Sequence, residues 1–148
     1  MSFVSSGFSV VGLDIDSIKV DNLNKGKSDI SLRNPELLKS DKFKATITKQ
    51  DLRQCGIFII CVPTPLGIHQ EPNLDYVSDA FFTINNVARG YFGVILESTT
   101  YPGTTEELAE KYLISKGKPE DHYFLAYSPE REDPNNKEFN NTNTPKIV

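Results

Sequence analysis

Polar residues that could bind a small molecule follow the apolar runs of this sequence. Asp14 comes directly after "FSVVGL", and Thr64 follows "GIFIICVP". Thr99 and Thr100 follow "FGVILES", and Glu130 follows "HYFLAYSP". A carboxylate at such a position can accept hydrogen bonds from sugar hydroxyls or act as a general base, and a threonine hydroxyl can bond an amide, a phosphate or a water. Several such clusters make a binding site a reasonable hypothesis.

Asp14 has two interpretations. In dinucleotide-binding domains, an acid at the end of the second strand accepts both ribose hydroxyls of adenosine and repels a 2′-phosphate, which favours NAD over NADP. Alternatively, Asp14 or Asp16 caps the helix that follows. Considered alone, the capping role is the more common one for an acid at a strand–helix junction.

The glycine-rich phosphate loop that normally precedes a ribose-binding acid is missing from the sequence. That acid lies roughly 20 residues beyond a G-x-G-x-x-G motif. Only residues 1–13 precede Asp14, and neither Gly7 nor Gly12 belongs to such a motif. We therefore expect the chain to start after the first strand and its loop, either because its start is truncated or misassigned or because the gene is a remnant.

The remaining clusters also have ordinary structural explanations. Prolines on both sides of Thr64 stiffen its loop and could present its hydroxyl and nearby amides to a ligand. Glu130 could act as a general base or hold a water that does. Arg131 could bind a sugar-nucleotide oxygen or phosphate in a forked geometry. Taken singly, threonines in turns and a Glu–Arg pair on a solvated loop are more often structural.

The elements that must position these residues alternate along the chain. Apolar runs at 8–15, 56–63, 92–99 and 122–129, together with an alternating pattern at 43–48 typical of an outer strand, predict about five strands. About four helical segments separate them. This order predicts an α/β domain, a Rossmann-like doubly wound fold with a mostly parallel sheet and right-handed crossovers. Ligands of such sheets bind at the carboxyl ends of the strands. Asp75 is expected to cap one helix, and Thr104 with Glu107 to form a capping box.

Composition excludes several classes of protein. A length of 148 residues fits one domain, and a net charge of −4 argues against a nucleic-acid partner. No apolar run approaches the roughly 20 residues of a membrane span, and the N-terminus lacks the basic region of a secretory signal. Cys55 and Cys61 lack metal-ligand spacing, so we expect two buried, reduced thiols in a cytoplasmic protein.

Five segments of the sequence carry a resemblance to a known family. They are "VVGLDID", "IICVPTPL", "EPNLDYV", "ESTTYPGTTEE" and "FLAYSPEREDPNN". In their order and spacing the chain resembles the nucleotide-sugar dehydrogenases of the UDP-glucose/GDP-mannose dehydrogenase family, and within it the UDP-N-acetylglucosamine 6-dehydrogenase branch. The pair "ESTTYPGTTEE" and "SPERED" argues against a methyltransferase, another Rossmann-like class with an acid after its second strand.

The resemblance implies that residues 1–148 are an incomplete NAD-binding domain without the dimerisation and C-terminal substrate domains. Members of the family oxidise the 6-hydroxyl of a UDP-sugar to a carboxylate in two steps, with two NAD reduced and with a cysteine nucleophile from the C-terminal part. The chain alone is then expected to be inactive, with a homo-oligomer possible. The alternative is a non-catalytic remnant or a self-associating interaction module with unpaired sheet edges beside the missing strand.

The resemblance also implies roles for individual residues. Asp14 would hold the adenosine ribose, and Lys19 would lie near the adenosine end. Contacts with NAD would come from Val62, Pro63, Thr64, Thr99 and Thr100.

On the catalytic side, Thr100 would also position a water, and Glu130 would assist hydrolysis of the thioester. Arg131 and Glu132 would lie on the sugar-nucleotide side.

Overall fold

A computed structural model describes residues 2–30, 32, 34–67, 70–117 and 119–129 of the chain. Its strands are β1 Val10–Leu13, β2 Phe43–Thr46, β3 Ile57–Ile60, β4 Phe92–Leu96 and β5 Tyr123–Tyr127. Its α-helices are α1 Ser2–Ser5, α2 Ser17–Asn24, α3 Asp75–Val87 and α4 Thr104–Tyr112. Short 3₁₀ turns cover Pro35–Lys39, Lys49–Gln54, Ile114–Lys116 and Glu120–His122.

The strands form two parallel sheets, one in each of the compact units Met1–Gln54 and Cys55–Val148. In the first unit β1 pairs with β2, and in the second the order is β3-β4-β5. Within the described residues, neither β1 nor β3 pairs with a second strand. Every strand pair is parallel, and a helix separates the paired strands along the chain: α2 lies between β1 and β2, α3 between β3 and β4, and α4 between β4 and β5. The predicted α/β fold is therefore confirmed.

The first unit has a small core. Its buried apolar side chains are Val4, Val20, Leu38, Ala45 and Leu52. Two hydrogen bonds between Asn24 and Ala45 supplement this packing. The amide side chain of Asn24 donates to the Ala45 carbonyl and accepts from the Ala45 backbone N–H, both at 2.9 Å. This pair holds the last residue of α2 against β2.

The second unit is built around aromatic rings in mutual contact. Phe92 on β4 meets Phe58 edge-on, with ring centroids 6.0 Å apart, and lies 5.6 Å from the ring of Tyr123. Helix α3 adds buried residues at helical spacing, including Phe81, which has no exposed surface. This core fixes the carboxyl ends of β3, β4 and β5, where ligand-binding residues were predicted.

Both predicted helix caps are wrong. Asp75 is the first residue of α3 rather than its N-cap, and its backbone N–H donates to Asn73 Oδ1 at 2.8 Å. The N-cap of α4 is Gly103, whose φ of +92° places it in the left-handed region. The Thr104 hydroxyl therefore donates to the Tyr101 carbonyl at 2.7 Å rather than capping the helix.

The prediction of two buried cysteines is also wrong. Strand β3 ends at Ile60, so Cys61 lies just beyond the strand, where it is exposed. Cys55 precedes the strand and is half-buried, and burial raises the pKa of its thiol. Neither cysteine forms a disulfide in the structure.

Candidate functional site

Asp14 lies at the carboxyl end of β1, where its backbone N–H donates to the Thr46 carbonyl of β2 at 3.1 Å. Its carboxylate forms an ion pair with the Lys19 ammonium and accepts from the Asp16 backbone N–H at 3.1 Å. The hydrogen bond from Lys19, with smaller contributions from neighbouring amides, holds the pKa of Asp14 below its ordinary value. The side chain is 27% exposed, so an ionised carboxylate faces solvent.

The capping role belongs to Asp16. Its Oδ1 accepts from the backbone N–H groups of Ile18 at 2.9 Å and Lys19 at 3.2 Å, and its backbone is extended, as an N-cap requires. Of the two interpretations, the capping role is confirmed for Asp16, and the ribose-binding role of Asp14 stays a prediction. Because Asp16 caps α2, the carboxylate of Asp14 is left for the ion pair and for a ligand.

Two exposed apolar residues beside Asp14 were missed by the sequence analysis. Ile15 is 90% exposed and Ile18 is 71% exposed. An apolar side chain gains from covering a flat aromatic ring that would otherwise face water. The signal was available in "DIDSI", where isoleucines interrupt a polar turn at the end of a strand.

A depression of about 350 Å³ lies at the carboxyl ends of β3 and β4. It brings together the predicted residues Val62, Pro63, Thr64 and Thr99. It also contains residues that were not predicted, namely Cys61, Glu97 and Ser98. The carboxyl ends of adjacent parallel strands meet here, as expected for a ligand site of this fold.

Hydrogen bonds hold the rim of this depression. The backbone N–H groups of Glu97 and Ser98 both donate to the Ile60 carbonyl, at 2.9 and 3.2 Å. The buried Ser98 hydroxyl donates to the Val62 carbonyl at 2.7 Å. On the open side, the Cys61 thiol donates to Glu97 Oε2 at 3.3 Å. Ser98 could not have been predicted from the sequence, because its partner lies far away in the chain and no local pattern marks it.

Thr100 lines a different depression from Thr99. This second depression has a volume of about 310 Å³ and lies between the segment 100–106 and residues 125–127 of β5. On its rim, the Tyr101 hydroxyl donates to Glu107 Oε2 at 2.8 Å. That hydrogen bond raises the pKa of Tyr101.

Three predicted residues, Glu130, Arg131 and Glu132, lie outside the described residues. Among the residues that are described, there is no group of three or more acidic, histidine or cysteine side chains suited to a metal ion. The same part of the chain has no helix long and apolar enough to cross a membrane.

Comparison with known proteins decides the family. The model of the UDP-glucose/GDP-mannose dehydrogenase family, NAD binding domain, matches residues 1–148. The chain belongs to this family. It corresponds to the family's NAD binding domain, which confirms the resemblance and the expected cofactor.

Relatives of the domain are named dehydrogenases of UDP-sugars. The chain is 35% identical over 145 residues to UDP-N-acetyl-D-glucosamine 6-dehydrogenase of Pseudomonas aeruginosa, covering 95% of this chain and 34% of that protein. It is 38% identical over 135 residues to UDP-N-acetyl-D-mannosamine dehydrogenase of Pyrococcus horikoshii, covering 87% of this chain and 32% of that protein. The chain thus spans about a third of the length of these relatives.

A solved structure shows the same fold. The structure of UDP-D-ManNAc dehydrogenase from Pyrococcus horikoshii superposes with a TM-score of 0.82 at 37% sequence identity, covering 89% of this chain and 33% of that one. The chain therefore shares the fold of this dehydrogenase over most of its own length.

Proposed function

We propose that this chain binds NAD as the cofactor domain of a nucleotide-sugar 6-dehydrogenase. The enzyme would oxidise the 6-hydroxyl of a UDP-sugar, of the UDP-N-acetylglucosamine type, to a carboxylate. The observation that carries the proposal is the ionised carboxylate of Asp14, which lies at the end of a parallel strand and is not needed as a helix cap. The names of the relatives supply the substrate class.

The adenosine end of NAD fits the residues around Asp14. The carboxylate accepts hydrogen bonds from both ribose hydroxyls and repels a 2′-phosphate, which selects NAD over NADP. Lys19 keeps this carboxylate ionised and oriented through the ion pair. The exposed side chain of Ile15 offers apolar surface to the adenine ring.

The family resemblance assigns further contacts with NAD to residues that line the two depressions of the second unit. Val62, Pro63, Thr64 and Thr99 line the first, and Thr100 lines the second. Proline has no N–H, and its ring fixes φ, so the segment 62–65 loses little conformational freedom when it binds. NAD supplies the hydride acceptor when it is bound. Thr100 is proposed to hold a water by its hydroxyl.

The roles of Glu130, Arg131 and Glu132 rest on the family resemblance. Glu130 is proposed as the base that assists thioester hydrolysis, and Arg131 and Glu132 as contacts of the sugar nucleotide. The cysteine nucleophile would come from a part of the enzyme beyond these residues. We place the enzyme in the cytoplasm, in polysaccharide biosynthesis, because its reduced thiols and the sugar nucleotides of its relatives suit that setting.

Calorimetric titration with NAD tests the proposal on the 148-residue chain. Asp14→Asn removes the charge that accepts the ribose hydroxyls, so we expect the Kd for NAD to rise about tenfold or more, since hydrogen bonds to charged groups contribute about 1.5–3 kcal/mol. Asp16→Asn is the matched control, because asparagine caps a helix as well as aspartate does. The proposal fails if the wild-type chain does not bind NAD, or if both variants bind it equally well.

Self-association is a second candidate function, favoured by the open sheet edges. Within the described residues β1 and β3 each pair with one strand, and their sequences "VVGL" and "IFII" contain neither the charges nor the prolines that usually protect an edge. Sedimentation over a range of concentrations should show a dimer that Ile57→Lys dissociates, since Ile57 is exposed on β3. A monomer at all concentrations would exclude this candidate.

A further inference from the structure

We infer that Ser98 is a positioning residue for the NAD site, through its hydrogen bond to the segment after β3. The inference rests on the proposed function. Ser98 is at the depression but only 6% exposed, so it offers a ligand little surface of its own. Its hydroxyl is nevertheless 2.7 Å from the carbonyl of Val62, which lines the depression beside Thr64.

The position of Ser98 explains why this bond matters. The β3–β4 ladder ends at the pair Ile60↔Leu96, and beyond it the two chains are no longer held by regular strand pairing. The Ile60 carbonyl still accepts from the backbone N–H groups of Glu97 and Ser98. The Ser98 hydroxyl extends the connection two residues further, to Val62. It is therefore the outermost described link between the end of β4 and the segment 61–64.

The segment that Ser98 holds has a second anchor at its far end, where the Asn73 backbone N–H donates to the Pro65 carbonyl at 2.8 Å. Pro63 and Pro65 have no backbone N–H, so two of the donors that could anchor it are absent. The Val62 carbonyl belongs to the peptide plane that leads into Pro63, and its orientation sets the direction in which Thr64 follows. Fixing that carbonyl from β4 thus fixes the loop that is proposed to contact NAD.

The test is Ser98→Ala in the 148-residue chain, measured by calorimetry with NAD and with AMP. Losing the tether should raise the Kd for NAD about five- to tenfold, the effect of one hydrogen bond. The Kd for AMP should stay within about twofold, because AMP carries only the adenosine end that Asp14 is proposed to hold. Ser98→Thr keeps the hydroxyl and should restore most of the NAD affinity.

A second readout does not depend on NAD. In a Cys55→Ser background, the rate at which a disulfide reagent modifies the exposed Cys61 thiol reports the order of the neighbouring segment. Ser98→Ala should accelerate this reaction several-fold, in line with the loss of one hydrogen bond. Thr83→Ala is the matched control, because Thr83 is a buried hydroxyl residue on α3, away from the depression. It should lower the melting temperature without changing the rate.

The inference is overturned if Ser98→Ala lowers only the melting temperature and leaves both the NAD-to-AMP affinity ratio and the Cys61 rate unchanged. Failure of the wild-type chain to bind NAD would contradict the proposed function instead. The Cys61 rate then decides only whether Ser98 orders the segment 61–64: an acceleration supports that ordering, and an unchanged rate refutes it.

Discussion

The two units of the chain present their candidate ligand groups by different physical means. In Met1–Gln54, the group is a charge, and the Asp14 carboxylate is oriented by an ion pair with Lys19 on the surface. In Cys55–Val148, the groups are hydroxyls and backbone atoms on loops, oriented by a buried serine and by the strands beneath them. The candidate ligand group of the first unit should therefore respond to acid and salt, and those of the second unit to the packing beneath them.

The hydrophobic cores of the two units also differ. The first unit buries small and aliphatic side chains, with no aromatic ring among its buried described residues. The second buries several aromatic rings in mutual contact. Because small domains bury a smaller fraction of their surface, we expect the stability of the chain to be concentrated in the second unit.

The largest expected effect comes from the aromatic core. Phe81→Ala should lower the free energy of unfolding by about 3–5 kcal/mol, since Phe81 is fully buried. The adjacent Phe82→Ala is the matched control, because Phe82 is 48% exposed and should cost less than about 1 kcal/mol. Urea denaturation measures both. Similar losses for the two variants would mean that this core does not carry the stability of the second unit.

A smaller and more local effect is expected from Leu38, which is buried in the first unit. Leu38→Ala should cost about 2–3 kcal/mol there. Because regions of a protein can open separately, amides of β1 and β2 should exchange faster while those of β4 keep their protection. Native-state hydrogen exchange measures this. Equal acceleration in both sheets would show that the units unfold together, and it would contradict a separate stability for each unit.

The smallest effects are those of titration, and they have opposite directions in the two units. The folded-state pKa of Asp14 lies below its unfolded value, chiefly because of Lys19. Its ionised form therefore stabilises the fold above about pH 4, and this contribution is lost as the pH falls through the folded pKa. Since the pair is exposed, we expect about 0.5 kcal/mol or less.

In the second unit, the pKa of Tyr101 is raised by the hydrogen bond to Glu107. That contribution is present below about pH 10 and is lost as the pH rises through the folded pKa. The urea midpoint of unfolding should be measured from pH 3 to 11. In Asp14→Asn the midpoint should fall less at acid pH than in the wild type, and in Tyr101→Phe it should fall less at alkaline pH. Unchanged pH profiles in both variants would contradict these assignments.

Much of the fold could be predicted from the sequence, because strands buried in parallel sheets read as continuous apolar runs. The runs containing β3 and β4 placed Thr64 and Thr99 at the carboxyl ends of those strands, and both line one depression. The helix starts could not be predicted in the same way. The left-handed backbone of Gly103, rather than the side chain of Thr104, determines where α4 begins.

The part of the site that depends on contacts between residues distant in sequence could not be predicted either. The bond from Ser98 to Val62 joins residues 36 positions apart, and a buried serine after a strand has no distinguishing local pattern. The exposure of Cys61 depends on β3 ending at Ile60, and the end of a strand is set by its partner. Local sequence therefore indicates which residues reach the site better than it indicates what holds them there.

The most direct test of the account is a map of amide chemical shifts of the 148-residue chain as NAD is added. We predict changes at residues 14–19 in the first unit and at residues 61, 62, 64 and 97–100 in the second. The amides of Phe82 and Asn86 on the outer side of α3 should not change. Saturable shifts in both clusters would support the NAD site in both units, and shifts confined to one cluster, or absent from both, would contradict it.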